Sequence, residues 1–339
     1  MKHFYSSILC IGLLLIGCKS SKHVNVDYDY TIAFGSCNKQ YEPNVLWTSI
    51  LKHKPSVWIW GGDNIYADTD DMVKLKAEYE KQRSDQNYAK LVASTKVLGT
   101  WDDHDYGLND GGLEFHKKSE SQDLFLDFMG VSKDDERRQR EGVYHSELIT
   151  TRKGTVKVIV LDTRYFRSAL VPDTDSKKRY KPNTDEKATV LGDAQWQWLT
   201  KELQNSEADF NLIVSSIQFL SDEHGFETWG NFPNEVKRLK ALIVSSKAKG
   251  VLLLSGDRHI SEFSKETIKD LNYPLIDFTS SGLTHAYSNF SGEPNENRIG
   301  DVIYEISFGL LKFDFETHTV LMEMRGKNDV KQQELIQRY

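Results

Sequence analysis

Six short apolar runs, rich in β-branched and aromatic residues, each break off into polar residues. "YTIAF" leads into Gly35, Ser36, Cys37 and Asn38. "SVWIW" leads into Gly61, Gly62, Asp63 and Asn64. "KVLGTW" is followed by Asp102, Asp103, His104 and Asp105. Further on, "VKVIVL" reaches Asp162, Thr163 and Arg164, "FNLIVSSI" reaches Gln218, and "GVLLL" reaches Ser255, Gly256, Asp257, Arg258 and His259. Runs of this length without polar alternation read as strands buried on both faces.

Between them, apolar residues return at helical spacing in "NVLWTSILKH", "MVKLKAEYEKQ", "SQDLFLDFMG", "LGDAQWQWLTKELQNS" and "PNEVKRLKALIVSS". In the fourth, Asp193 is the expected cap, and Trp196, Leu199 and Leu203 share one face. Strands alternating with helices define an α/β fold with parallel or mixed sheets. "LKFDFETHTVLMEM" alternates on both sides of a polar turn and predicts a hairpin. In such folds the carboxyl ends of successive strands share one edge, where ligand sites collect. One acidic loop is ordinarily a solvated turn. Six strand ends carrying Cys, Asp, Asp/His, Asp/Arg, Gln and Asp/His point instead to one site.

The N-terminus bears on location. Lys2 precedes the short apolar core "ILCIGLLLIG", which has signal-peptide rather than membrane-spanning proportions. "LIGC" at Leu15 to Cys18 resembles a bacterial lipobox. It predicts a leader over 1–17, lipidation of Cys18, a polar tether over 18–29 and a catalytic domain over 30–339 of an exported protein on a membrane. Cys10 falls in the leader, so Cys37 is the single thiol of the domain, and no internal disulfide is expected. That thiol is either a small buried apolar group or a metal ligand. The formal charge of −7 argues against a nucleic-acid binder that works by neutralising phosphates.

The strand ends suggest metal chemistry. Asp63 follows a glycine pair, and its two oxygens suit it to bridge two cations. Tyr66 could reach the same ion. A thiolate and a phenolate together favour a strongly Lewis-acidic ion such as iron(III) over magnesium. Of Asp103 and His104, one can be a ligand and the other an acid. Asp257 and His259, two apart, are expected to face alike and reach one centre. Two cations sharing a carboxylate activate water and oppose the charge of an in-line displacement at phosphorus. Arg164 and Arg258, expected at the rim, offer planar forks for phosphoryl oxygens.

With "FGSC", "GGDNIYAD", "TWDDHDYGLND", "LDTRYFR", "LGDAQWQWL", "ETWGNFPNEVKRL" and "LSGDRH" in this order, the chain resembles the PhoD-like alkaline phosphatases, a branch of the calcineurin-like metallophosphoesterases. The resemblance covers about Tyr30 to Thr284. It implies a four-layer sandwich, two mixed β-sheets flanked by helices, and hydrolysis of phosphomonoesters and phosphodiesters with an iron and calcium cluster, other divalent metals being alternatives. It makes Cys37, Asp63 and Tyr66 iron ligands, with Asp63 bridging to the second site. It sets Asp103 at a ligand asparagine, with Asn109 as rival, and His104 at the proton donor. Asp257 and His259 become ligands, and Gln218 takes the position of a ligand histidine in the wider superfamily. Arg164 is expected to serve catalysis and substrate binding, and Arg258 substrate binding.

The chain departs from this pattern in three ways. No N-terminal β-domain precedes the catalytic region, Arg258 replaces a small residue, and residues 167–190 and 284–301 are uneven polar segments expected to form flaps. A small phosphate ester is the expected partner. The alternatives are a phosphodiesterase on lipid head groups and a non-catalytic ligand-binding surface lipoprotein.

Overall fold

The computed structural model describes Met1 and residues 28–339; Cys10, Cys18 and the leader lie outside the described residues. The first half holds β1 (Tyr30–Gly35), α1 (Trp47–Lys52), β2 (Val57–Gly61), α2 (Met72–Ser84), α3 (Gln86–Ser94), β3 (Lys96–Thr100), α4 (Asp103–Tyr106), α5 (Lys118–Phe128), β4 (His145–Thr150) and β5 (Thr155–Val160). Then come β6 (Val171–Pro172), β7 (Tyr180–Lys181), α6 (Gly192–Gln204), β8 (Phe210–Val214), α7 (Pro233–Ser246) and β9 (Val251–Ser255). The chain closes with β10 (Ser261–Glu266), β11 (Leu275–Ser280), β12 (Arg298–Ile303), β13 (Ser307–Asp314), β14 (Thr319–Gly326) and β15 (Lys331–Arg338).

Two mixed sheets result. One runs β15-β14-β13-β1-β2-β3 and the other β12-β10-β11-β9-β8-β5-β4. The predicted hairpin is β13–β14. Strand alternation explains the layering. Val57 and Ile59 of β2 face the second sheet and pack with Val158, Leu212 and Leu254. Trp58 and Trp60 face the other way, into a layer with Trp47, Leu75, Leu91 and Phe125 of the helices. On the far side, Trp196, Leu199 and Leu203 of α6 meet Ile213, Leu239 and Leu253. Helices, sheet, sheet and helices make the expected four layers.

Local chemistry sets the helix ends. Asp71 accepts from the amides of Val73 and Lys74 and starts α2. Pro233 opens α7 at the position where its missing N–H is harmless. Asp193 does not cap α6. It lies inside the first turn, and the Thr189 hydroxyl takes the Gly192 amide instead.

The registers position the site. Gly35 pairs with Trp60 and Gly61 with Thr100, so β1, β2 and β3 end level in the first sheet. Val160 pairs with Val214 and Val214 with Leu254, so β5, β8 and β9 end level in the second. A parallel bridge between Ser36 and Ser281 links the two edges.

Candidate metal centre

The chain turns sharply as it leaves the strands. Cys37, Asp63, Asp257 and His259 have φ of 60°, 52°, 69° and 55°, a left-handed conformation disfavoured for side-chain-bearing residues. Such strain collects at functional sites, where surrounding structure holds it. The approach is close as well. A Cβ on Gly62 would sit 2.6 Å from the Asp102 Cβ, and one on Gly256 2.5 Å from the Ser36 hydroxyl.

These turns bring three overlapping groups of ligating atoms together, each within 4.8 Å: Cys37, Asp63 and His259; Asp63, Asp103 and His104; Asp102, Asp103 and Asp257. Cys37 Sγ donates to Asp63 Oδ2 at 3.3 Å, and Tyr66 Oη to the same oxygen at 3.2 Å. Tyr66 Oη is also 2.8 Å from His259 Nε2. Asp63 Oδ1 accepts the His104 amide at 3.3 Å. Each oxygen of Asp63 therefore faces a different group, as a bridging ligand requires. Asp103 Oδ2 takes the Asp110 amide at 2.7 Å, while its Oδ1 and Asp102 Oδ2 are buried without partners.

The electrostatics follow from crowding. Burial, with Cys37 and other acids nearby, raises Asp63 well above the carboxylate range. Burial and Asp102 do the same to Asp257. Burial pushes the Cys37 thiol up to about 11 and His259 down to about 4. Burial alone would raise Asp103, but His104 and Arg164 bring it below its ordinary value. His104 is pushed up to about 11, because Asp63, Asp103 and Asp68 outweigh the opposing effect of burial. Its Nδ1 lies 2.8 Å from Asp68 Oδ1, leaving Nε2 for the cleft, and its ring lies 4.1 Å from that of Tyr66. Soft and hard donors, unpartnered oxygens and surplus acid fit resident metal cations.

Several expectations change. Arg164 is not at the rim: it is fully buried, with its guanidinium on Asp102 and on Glu227 at 2.6 Å. It does not line the cleft and so offers no fork to a substrate there. Asp257 and His259 do not share one group, because β9 ends at Ser255 and strand alternation no longer applies in the turn. Gln218 donates its amide nitrogen to Glu262 and Thr279 at 2.8 and 2.9 Å, and its Oε1 is buried without a partner. Asn109 is exposed on the cleft wall, whereas Asp103 is inside two groups. Arg258 does line the cleft, but Glu293 answers its charge at 2.8 Å.

Sequence reasoning gave no role to Asp68, Asp102 or Glu227. It also passed over His285, whose ring lies 4.4 Å from that of His259. The run of three carboxylates and a histidine at 102–105 was the available signal for Asp102. The cleft itself has a volume of about 320 Å³. The two polar segments both reach it, through Arg179 from one and Tyr287 from the other.

The two-sheet sandwich is a fold shared with solved proteins. The structure of PhoD superimposes with a TM-score of 0.72 at 19% identity, over 91% of this chain and 68% of that one. GAP50, the anchor in the inner membrane complex of Plasmodium, gives 0.58 at 12%, over 92% and 89%. A dimetal phosphatase from Danio rerio gives 0.51 at 12%, over 92% and 100%. The PhoD-like phosphatase model matches residues 32–297, and the chain belongs to that family. Alkaline phosphatase D of Bacillus subtilis (strain 168) is 24% identical over 280 residues, 68% of this chain and 46% of that protein. The chain thus spans less than half the length of this curated relative.

Proposed function

We propose that this chain is an exported, metal-dependent phosphatase that releases phosphate from organic esters. The observation that carries the reading is Asp63, shared between two groups of buried and half-buried ligating side chains with His104 in one of them. The fold alone would not suffice, since a protein that shares it is an anchor. Cys37, Asp63, Tyr66 and His259 would hold one ion, iron(III) by their donor chemistry. Asp63, Asp103 and Asp257 would hold the second, calcium or another divalent cation. When bound, such a pair activates water at neutral pH and offsets charge on the phosphoryl oxygens.

The protein's own residues do the rest. His104, oriented by Asp68, gives its proton to the leaving oxygen. Arg258 binds a phosphoryl oxygen through its buried, unpartnered Nε. Arg164 positions Asp102 from beneath. The lipobox at Cys18 tethers the domain of residues 30–339 to a membrane. No helix among the described residues is long and apolar enough to cross one.

The test is an assay of the metal-loaded protein on glycerol 2-phosphate and on an alkyl phosphodiester, before and after chelation. Turnover of either ester that disappears on chelation is expected. Metal-bound protein inert toward both would favour the binding-module reading.

A further inference from the structure

The cleft's lining is of two unlike kinds. One is ionic: Asp103, His104, Asp257 and His259. The other is aromatic. Phe226 is 37% exposed and Tyr287 41%, and both line the same cavity as the candidate ligands.

These rings are held from outside the core. Arg258 lies over the Phe226 ring, with its guanidinium carbon 4.1 Å from the centroid. The Phe226 amide bonds His224 Nδ1 at 3.1 Å, and the Gly225 carbonyl accepts from Arg179 and Tyr180 at 2.9 and 3.1 Å. The Tyr287 amide bonds the carbonyl of His259 at 2.8 Å, tying this ring to a candidate metal ligand. Arg258 covers part of Phe226 and Phe290 stands 6.2 Å from Tyr287, yet more than a third of each residue is exposed, so each ring keeps an open surface. A planar ligand stacked on it would gain apolar contact and keep its own polar edge in water.

We propose that the preferred substrate is a phosphate ester whose organic part carries a planar aromatic ring, a nucleotide or an aryl ester, held by Phe226 and Tyr287. The inference rests on the phosphatase reading and specifies the substrate class of that site. A phosphoryl group held by the ionic side chains leaves its ester substituent in the cavity that these rings also line. The guanidinium over Phe226 adds cation–π character to the stack.

The experiment compares adenosine 5′-monophosphate with ribose 5-phosphate on the metal-loaded protein, because both release the same alkoxide oxygen and differ in the base. Stacking on aromatic side chains predicts a kcat/KM about 5- to 100-fold higher for the nucleotide, mostly through KM. Phe226→Ala and Tyr287→Ala should each pull that ratio toward one, and Phe226→Tyr should keep it. Equal kcat/KM for the two esters, or a ratio untouched by both alanine variants, would overturn the proposal. 1-Naphthyl phosphate then separates the sources by KM alone, since its better leaving group raises kcat whatever the cleft prefers: a lower KM for the nucleotide assigns the site to nucleotides, a lower KM for the naphthyl ester to aryl esters, and either supports stacking. If no ester is hydrolysed, the phosphatase reading fails. Calorimetric binding of the first pair then decides the stacking: tighter nucleotide binding supports it and equal affinity refutes it.

Discussion

Two buried charged clusters meet at Asp102. On one side, Asp102 and Glu227 are answered by Arg164 and Arg167, four side chains that are all 2% exposed or less. On the other, Asp63, Asp103 and Asp257 are engaged in no direct ion pair: His104 acts on Asp63 and Asp103, and Arg258 on Asp257, without contact, while Cys37 and Tyr66 have the neutral His259 beside them. One oxygen of Asp102 takes Arg164 and Ser216, and the other has no partner. The fold thus supplies its own cations where it needs only rigidity. Where the cleft opens, it leaves acid uncompensated. An ion pair broken by losing one buried partner is costly, while a surplus of buried acid is relieved by an added cation or a proton.

Mutating each side should therefore give opposite signatures. The largest effect is expected from Asp63→Ala. Several kcal/mol of transition-state stabilisation would go with the metal, so turnover of every ester should fall by about 10³-fold or more. The metal-free fold should be no less stable than the parent, since a strained, buried carboxyl is removed. Steady-state kinetics and thermal melts of metal-stripped samples check both halves.

His104→Ala should come next. It should slow an alkyl phosphate by about 10²-fold, the usual scale of general acid catalysis, and a nitrophenyl ester much less. Metal content should stay the same. Equal losses on both esters, with loss of metal, would make His104 a ligand.

On the compensated side, Arg164→Met should act on stability. Leaving Asp102 and Glu227 without their cation should cost about 3–5 kcal/mol, lowering Tm by several degrees while the folded fraction still binds metal. A variant as stable as the parent would show that the pair is not doing structural work.

The smallest effect is in pH. Asp102 is raised to about 7 by burial, and Asp63 and Asp257 are raised as well. The metal-free fold holds these protons after an unfolded chain has released them near pH 4. Its stability should therefore fall as pH rises from about 4 through about 7. Buried neutral histidines oppose this: His145, near 4, loses stability as pH falls below about 6.5. That contribution is common to both forms, so the Tm difference between loaded and stripped protein should widen from pH 4 to pH 8. A constant difference would mean that these carboxyls do not hold protons in the stripped fold.

The sequence made the first side of this comparison hard to read and the second easy. Cys37, Asp63, Asp103, Asp257 and His259 each directly follow an apolar strand pattern, and position alone brought them together. Arg164 follows one too, and was misplaced at the rim because a guanidinium's direction depends on partners distant in sequence, Asp102 and Glu227. The pairing of His104 with Asp68 depends on a turn whose shape no local pattern specifies. The layers were legible through six buried strands and the β13–β14 hairpin; buried β10 and β11 were missed because Glu262, Ser264, Asp277 and Thr279 break their apolar runs, and so were the two-residue β6 and β7. The edge strands β4, β12 and β15 were missed as well. Their burial alternates or is partial, as at β12, where Gly300 and Asp301 are exposed. The helical cap given to Asp193 failed for a similar reason, since Thr189 is better aligned to the first free amide.

The central claim is that the uncompensated cluster is a metal site and the compensated one is not. Elemental analysis of purified parent, Asp63→Ala and Arg164→Met proteins tests it most directly. The account predicts iron and a second metal near one each per chain in the parent and in Arg164→Met, and neither in Asp63→Ala. Metal retained in full by Asp63→Ala, or absent from a parent that still hydrolyses phosphate esters, would contradict it.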